Sequence, residues 1–235
     1  MTELNHIQFD RFSFDYSPNR PLFKDFSLTV PRNCWLGILG PSGVGKSTLL
    51  HAIARQLQAT DPAQHLALLS QQSTLLPWLT VLENVHIGNL LRNESILDSA
   101  EAILTQLGLQ DFMHVLPKQL SGGQAQRAII ARTLYEKSDV VLMDEPFSSL
   151  DAITKQQIQE IAYQAFQDKT VILVTHDPLE ALRLCDQIIV LKGKPVYYDT
   201  TLHLKSSAPR KLNEKEVTEY HEILMNQLIH AKKEE

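Results

Sequence analysis

The sequence predicts an α/β fold with a central, mostly parallel sheet, and three observations carry that expectation. Short apolar runs at Trp35–Leu39, Val140–Met143 and Thr170–Val174 read as buried parallel strands, because they lack polar alternation. The segment Gly40-Pro-Ser-Gly-Val-Gly-Lys-Ser-Thr48 joins the first run to Leu49–Leu57, whose apolar positions recur at helical spacing. The second and third runs deliver Asp144-Glu145 and His176 to their carboxyl ends, the edge at which an open α/β sheet receives a ligand.

In chain order, residues 5 to 34 come first and read as extended. Phe9, Phe12 and Phe14 mark one strand, Phe26, Leu28 and Val30 alternate along another, and Ser17-Pro-Asn-Arg-Pro21 lies between them. Asn33 stands where a turn must enter the core strand, and Asn tolerates positive φ. Gly40 to Ser47 then fits the phosphate-loop pattern in its required setting of strand, glycine loop and helix. Gly40, Gly43 and Gly45 let the backbone curl its amides inward, and the helix behind them offers unpaired N–H groups and a positive dipole end. Lys46 is expected to reach the β and γ phosphates of a nucleotide, with the Ser47 hydroxyl on Mg²⁺.

Asp61-Pro62 marks a turn, and Leu66–Ser70 supplies a single strand. Residues 80 to 120 read as a helical insert. Thr80 caps its first helix with Glu83 in capping-box position, and an amphipathic helix from Ser95 to Leu107 ends at Gly108. Ser121-Gly-Gly-Gln124 opens a further helix, with Ser121 as N-cap and neighbouring amides that make another anion nest. Alone, that tetrapeptide is a capped helix. Its weight comes from lying after a phosphate loop and just before an acidic strand end. Asp144 is placed to hold Mg²⁺, and Glu145 to polarise the water that attacks a γ-phosphate. His176 is expected to bond the γ-phosphate and orient that water. Pro178–Leu184 reads as a helix, Gln187–Leu191 as a strand, and Val217, Tyr220, Leu224 and Leu228 place a helix in the tail.

The whole-chain numbers fit one large α/β domain. At 235 residues the chain is expected to bury about 70–75% of its unfolded surface. A net charge of −5 without a dense Lys/Arg tract argues against a nucleic-acid partner. No run approaches the roughly 18 apolar residues of a membrane span, and Met1–His6 lacks the layout of a signal peptide. Membrane attachment is therefore expected to come through a partner subunit. Cys34 and Cys185 lie in apolar surroundings and read as packed thiols, and the nine histidines form no zinc-ligand pair.

In this order the motifs resemble those of the nucleotide-binding subunit of an ATP-binding cassette (ABC) transporter, over residues 5 to 200. The resemblance implies a P-loop NTPase cassette with a mostly parallel sheet, a reduced antiparallel β subdomain and a helical insert. Within 1–235, the antiparallel part is about 5–34, the core 35–79 and 121–200, the helical subdomain 80–120 and the helical tail 201–235. Tyr16 resembles the aromatic that stacks on adenine. Gly40, Pro41, Ser42, Gly43, Val44, Gly45, Lys46, Ser47 and Thr48 resemble the Walker A loop. Ser121, Gly122, Gly123 and Gln124, preceded by Leu120, match the signature, Asp144 and Glu145 the Walker B pair, Asp151 the D-loop and His176 the switch histidine.

Gln71 or Gln72 fills the Q-loop. The run Leu75–Val81 resembles the stretch that follows the glutamine in one importer group, and that alignment selects Gln71 as the Mg²⁺-sensing residue. Members usually carry a glycine-containing β-hairpin between the first helix and that glutamine, and residues 49 to 70 leave no room for it. The expected cofactors are ATP and Mg²⁺. The expected partners are a second copy packed head to tail, each ATP lying between one copy's Walker A loop and the other's signature, a transmembrane permease, and indirectly a substrate-binding protein. Leu76, Trp78 and Leu79 are candidates for the permease-docking groove, with ordinary packing between subdomains as the alternative. The resemblance places the chain on the cytoplasmic face of the membrane, as the ATPase of an importer in the nitrate, sulfonate, taurine and thiamine-precursor group. A soluble ABC ATPase without transport and a catalytically silent ATP-dependent scaffold remain the alternatives.

Overall fold

A computed structural model describes residues 6–17, 20–60, 66–70, 75–92 and 99–234, without the side chains of Tyr16 and Ser17. Its elements run β1 (His6–Ser17), β2 (Arg20–Pro31), β3 (Trp35–Leu39), α1 (Lys46–Thr60), β4 (Leu66–Leu69), α2 (Val81–Val85), α3 (Ile87–Arg92), α4 (Ser99–Gln106), α5 (Gly122–Tyr135), β5 (Val140–Asp144), α6 (Ala152–Phe166), β6 (Thr170–Val174), α7 (Pro178–Leu184), β7 (Gln187–Val190), β8 (Thr201–His203) and α8 (Lys215–Lys233).

β1 and β2 pair as an antiparallel two-stranded sheet. The other strands form one sheet in the order β4-β5-β6-β3-β7-β8, parallel except for the last pair. β3, β5 and β6 are buried along their whole length, so successive side chains feed two different cores. Trp35, Val141, Met143, Val171 and Leu173 face the layer of α5, α6, α7 and α8. Leu36, Ile38, Val140, Leu142, Ile172 and Val174 face α1 and the β1–β2 sheet. Burial on both faces explains why these runs show no polar alternation.

Local chemistry sets the boundaries. Asn33 takes φ +54 before β3 while its amide donates to the Thr170 hydroxyl at 3.0 Å, so the turn residue also ties β3 to β6. Thr80 and Glu83 form the expected capping box on α2, and α4 is followed by Gly108 at φ +68. The described part of α4 begins at Ser99. The expected start at Ser95 and the turn at Asp61-Pro62 lie outside the described residues. Among the described residues the segment between α1 and β5 contributes one strand, β4, and it joins the parallel sheet.

The C-terminal stretch is fastened by Arg210, whose side chain is fully buried. Its guanidinium donates to the carbonyls of Leu182 (3.1 Å), Cys185 (2.8 Å) and Ser206 and to the Ser206 hydroxyl (3.0 Å). Those bonds satisfy the last carbonyls of α7, which the helix itself leaves open. No described helix is long and apolar enough to cross a membrane.

Candidate active site

The parallel sheet places the functional segments by register. Ile38, Val174 and Asp144 stand on one rung across β3, β6 and β5. Gly40, His176 and Glu145 therefore leave the sheet at the same carboxyl edge. Hydrogen bonds across the rung fix it: Thr175 N to Ile38 O at 3.2 Å and Glu145 N to Val174 O at 2.8 Å.

The phosphate loop is a packed structure. Gly40 and Gly45 have φ +156 and +111, and a Cβ on either would press on Leu191 O at 2.9 Å or on Leu22 and Phe23 at 3.1–3.2 Å. Gly43, at φ +87, meets nothing within 4 Å and forms the open tip with Ser42. Val44 is buried and its amide donates to Pro41 O at 3.4 Å. Lys46 opens α1, is 6% exposed, and donates from Nζ to Gly40 O and Pro41 O, both at 2.8 Å. The first turn of α1 carries no acid, so the positive end of the helix is not offset. Ser47 is exposed and Thr48 half-buried, and both line a cleft of about 630 Å³ bounded by Phe12 and Phe14 of β1 and by His51, Ala52, Arg55 and Gln56 of α1.

Glu145 follows β5 with φ +48, a left-handed conformation that costs a non-glycine residue roughly 1–2 kcal/mol. The turn is held by its amide on β6 and by Ser148, whose amide and hydroxyl donate to Glu145 O at 3.3 and 3.0 Å. It brings Glu145 Oε2 to 3.0 Å from His176 Nδ1. His176 is largely exposed and Glu145 is half-buried, so the pair stands at the mouth of the sheet edge. Asp144 ends β5 with its side chain buried. The oxygen donors Ser47 and Asp144 suit a hard cation. Among the described residues no group of three or more His, Cys, Asp or Glu forms a protein-only cage. Such a donor set fits Mg²⁺ that takes much of its coordination from phosphate oxygens and water.

The second glycine motif is built differently. The Ser121 hydroxyl accepts from Gln124 N at 3.3 Å while Gln124 Oε1 accepts from Ser121 N at 2.8 Å, a reciprocal cap on α5. The first turn of α5 also lacks an acid. Gly123 lies against α6, and a Cβ there would sit 2.7 Å from Thr154 Cγ2. Ser121, Gly122 and Gly123 line a cleft of about 570 Å³ with Arg127, Ser149, Leu150 and Asp151, and no residue of the phosphate loop lines it. Asp151 caps α6, accepting from Ile153 N and Thr154 N at 3.1 Å each, and hydrogen bonds from Thr154 and Ile153 hold its carboxyl below the usual range.

The structure thus brings Glu145 to His176 and Asp151 to the signature glycines, and keeps the two groups in separate clefts. Tyr16 belongs to β1, but its side chain is outside the description, as are Gln71 and Gln72. A set of charges that the motifs did not disclose lies behind His176. Asp177 caps α7 through Leu179 N at 3.0 Å, and Lys155 of α6 reaches Asp177 Oδ2 at 2.8 Å and Glu180 Oε2 at 3.1 Å. The Asp177-Pro178 pair signals a helix start in sequence. Lys155 stands 22 residues before Asp177, and no local pattern links them.

Residues 23–148 match the ABC transporter family. The chain is 39% identical to an uncharacterized ABC transporter ATP-binding protein of Haemophilus influenzae, over 88% of this chain and 92% of that one. It is 37% identical to an aliphatic sulfonates import ATP-binding protein of Paracoccus denitrificans, over 77% of each chain, and 35% identical to a taurine import ATP-binding protein of a Jannaschia species, over 79% and 75%. A bacterial ABC transporter cassette solved as a dimer superposes with a TM-score of 0.70 at 27% identity, covering 85% of this chain and 99% of that one. With the phosphate loop, the acidic strand end and the signature helix on one α/β frame, the chain belongs to the ABC transporter family as an ATP-binding, ATP-hydrolysing subunit.

Proposed function

We propose that the chain powers an importer for a small organic or anionic nutrient, a sulfonate or taurine-like solute, by closing as a homodimer around two ATP molecules. The observation that carries this is the pair of glycine-lined helix N-termini in separate clefts. Each is suited to an anion, and they cannot hold the same phosphate group from within one protomer. The relatives named for sulfonate and taurine import support the substrate class, and the cassette solved as a dimer supports the assembly.

In this reading the amides of residues 40–48 and Lys46 take the β and γ phosphates, and Tyr16 packs on the adenine. Ser47, Asp144 and Gln71 hold Mg²⁺, which when bound spreads the negative charge of the phosphates. Ser121, Gly122, Gly123 and Gln124 of the second copy close over the γ-phosphate, and Asp151 lies at that seam beside them. A Nδ1–H of His176 donating to Glu145 Oε2 leaves Oε1 to accept the proton of the attacking water. His176 then holds the carboxylate and the water in line with the γ-phosphate. Loss of that phosphate removes the contacts that favour closure, and the dimer opens.

The permease is expected on the insert side, where Trp78 is 71% and Leu91 78% exposed and Leu76 and Leu79 are half-buried. The exposure of Trp78 leaves it available to a partner rather than packed between subdomains. A substrate-binding protein acts through the permease alone. The test is sedimentation of the Glu145→Gln chain with Mg-ATP and with Mg-ADP, then ATPase assays of the chain joined to a permease. A dimer with ATP only, and turnover raised by a sulfonate-loaded binding protein, is the expected result. A monomer in both nucleotides overturns the dimer reading.

A further inference from the structure

We propose that Lys155 is a positioning residue for ATP hydrolysis, locking the loop that carries His176 onto helix α6. The proposal rests on the reading of His176 as the residue that orients Glu145 and the attacking water.

The geometry is a bridge from a half-buried lysine to one half-buried and one buried carboxylate. Lys155 stands one helical turn after the cap Asp151 and next to Thr154, which packs under Gly123. Its ammonium contacts two carboxylates of the segment after β6: Asp177, adjacent to His176, at 2.8 Å, and Glu180 at 3.1 Å. Glu180 is 4% exposed, and its Oε1 is a buried atom without a hydrogen-bond partner among the described residues. Its Oε2 also accepts from the Thr175 hydroxyl at 3.1 Å, and the same hydroxyl accepts from Asp177 N at 3.1 Å. The residues on both sides of His176, Thr175 and Asp177, are therefore held by one network that ends on Lys155.

His176 itself is largely exposed, and its one described side-chain partner is Glu145. Its ring position is thus inherited from its neighbours. Burial alone would lower the pKa of Lys155, but Glu180 and Asp177 outweigh it and raise the value, so the ammonium stays charged across neutral pH. Burial already raises the pKa of Glu180 against the pull of Lys155, so without the cation the carboxylate takes up a proton or moves toward water, and either outcome breaks the ion pair that holds the loop. Removing the cation and the acid together takes that drive away. Lys155 touches no phosphate in this scheme. It acts through the backbone of 175–177.

A displacement of about 1 Å at a reacting group costs on the order of 100-fold in rate. Lys155→Met is expected to lower kcat for ATP roughly 10- to 100-fold, with KM for ATP and binding of a fluorescent ATP analogue close to wild type. Lys155→Arg, which keeps the charge and reach, is expected to restore most of the turnover. The double variant Lys155→Met, Glu180→Gln is expected to be no slower than Lys155→Met alone. Wild-type kcat in Lys155→Met overturns the proposal. So does an equal loss in nucleotide affinity and kcat that arginine fails to rescue, which would mark a role in folding alone. His176→Ala is measured beside them. Undiminished turnover in that variant removes the reading of His176, whereas slow His176→Ala with fast Lys155→Met removes only the role of Lys155.

Discussion

The two anion nests of this chain are made from the same parts and finished to different degrees. Both are helix N-termini approached by glycines and free of acids in the first turn. The phosphate loop is walled by Leu191, Leu22 and Phe23 and carries its own cation, Lys46, inside the curl. The signature nest is exposed at Ser121 and Gly122 and leans on another helix through Gly123. The nearby Arg127 donates away from it, to Leu107 O at 3.2 Å. A nest with an internal lysine can grip a phosphate within one protomer. One supplied only by amides and a dipole, about 0.3–1 kcal/mol per contact at an exposed site, gains weight when another protein surface excludes the water. The contrast separates binding from turnover, and variants can break it.

The largest effect is expected at the joint between the nests, in hydrolysis itself. Glu145→Gln keeps nucleotide binding and loses about 10²–10⁴-fold in kcat, read by phosphate release. Lys46→Ala tests the self-contained nest. Losing charge-assisted bonds of about 1.5–3 kcal/mol weakens ATP binding by the monomer roughly 10- to 100-fold, read by calorimetry. Gly123→Ala tests the open nest, because its methyl group would sit 2.7 Å from Thr154 Cγ2, so that Thr154 or the α5–α6 contact must shift. Turnover is expected to fall on the order of 10-fold while the monomer binds ATP as before. Weakened monomer binding there would erase the distinction.

The smallest effect concerns what props the signature helix. His86 is buried with its ring 6.2 Å from Tyr135 of α5, and its Nδ1 has no hydrogen-bond partner among the described residues. Burial lowers its pKa from 6.5, against the opposing pull of Glu83. A group whose folded value is depressed contributes stability that is full above the unfolded value and is lost as pH falls through the folded one. The melting temperature should therefore begin to drop as pH falls below 6.5, and His86→Phe should flatten that part of the profile.

The sheet and most of the site were legible because their signals are local. A strand buried on both faces must be apolar throughout, and a phosphate loop must spend glycines where φ is positive, as Gly40, Gly43 and Gly45 do. The caps Thr80 and Ser121 announce themselves within four residues. What stayed hidden depends on distant chain meeting in space. The motif announces Glu145 but not its left-handed turn at φ +48, which sets the bond to His176. Pro178–Leu184 reads as a helix, but nothing local shows that its Glu180 is buried against Lys155 from α6. Nothing local to Arg210 marks it for burial, yet it is the most enclosed cation described.

That arginine has a consequence for handling the protein. A stretch of polypeptide well beyond the candidate site in sequence holds shut the far end of the helix that follows His176. Proteolysis or genetic shortening upstream of position 210 would expose the Leu182 and Cys185 carbonyls to solvent and loosen the candidate site from behind, with every one of its side chains still in the sequence.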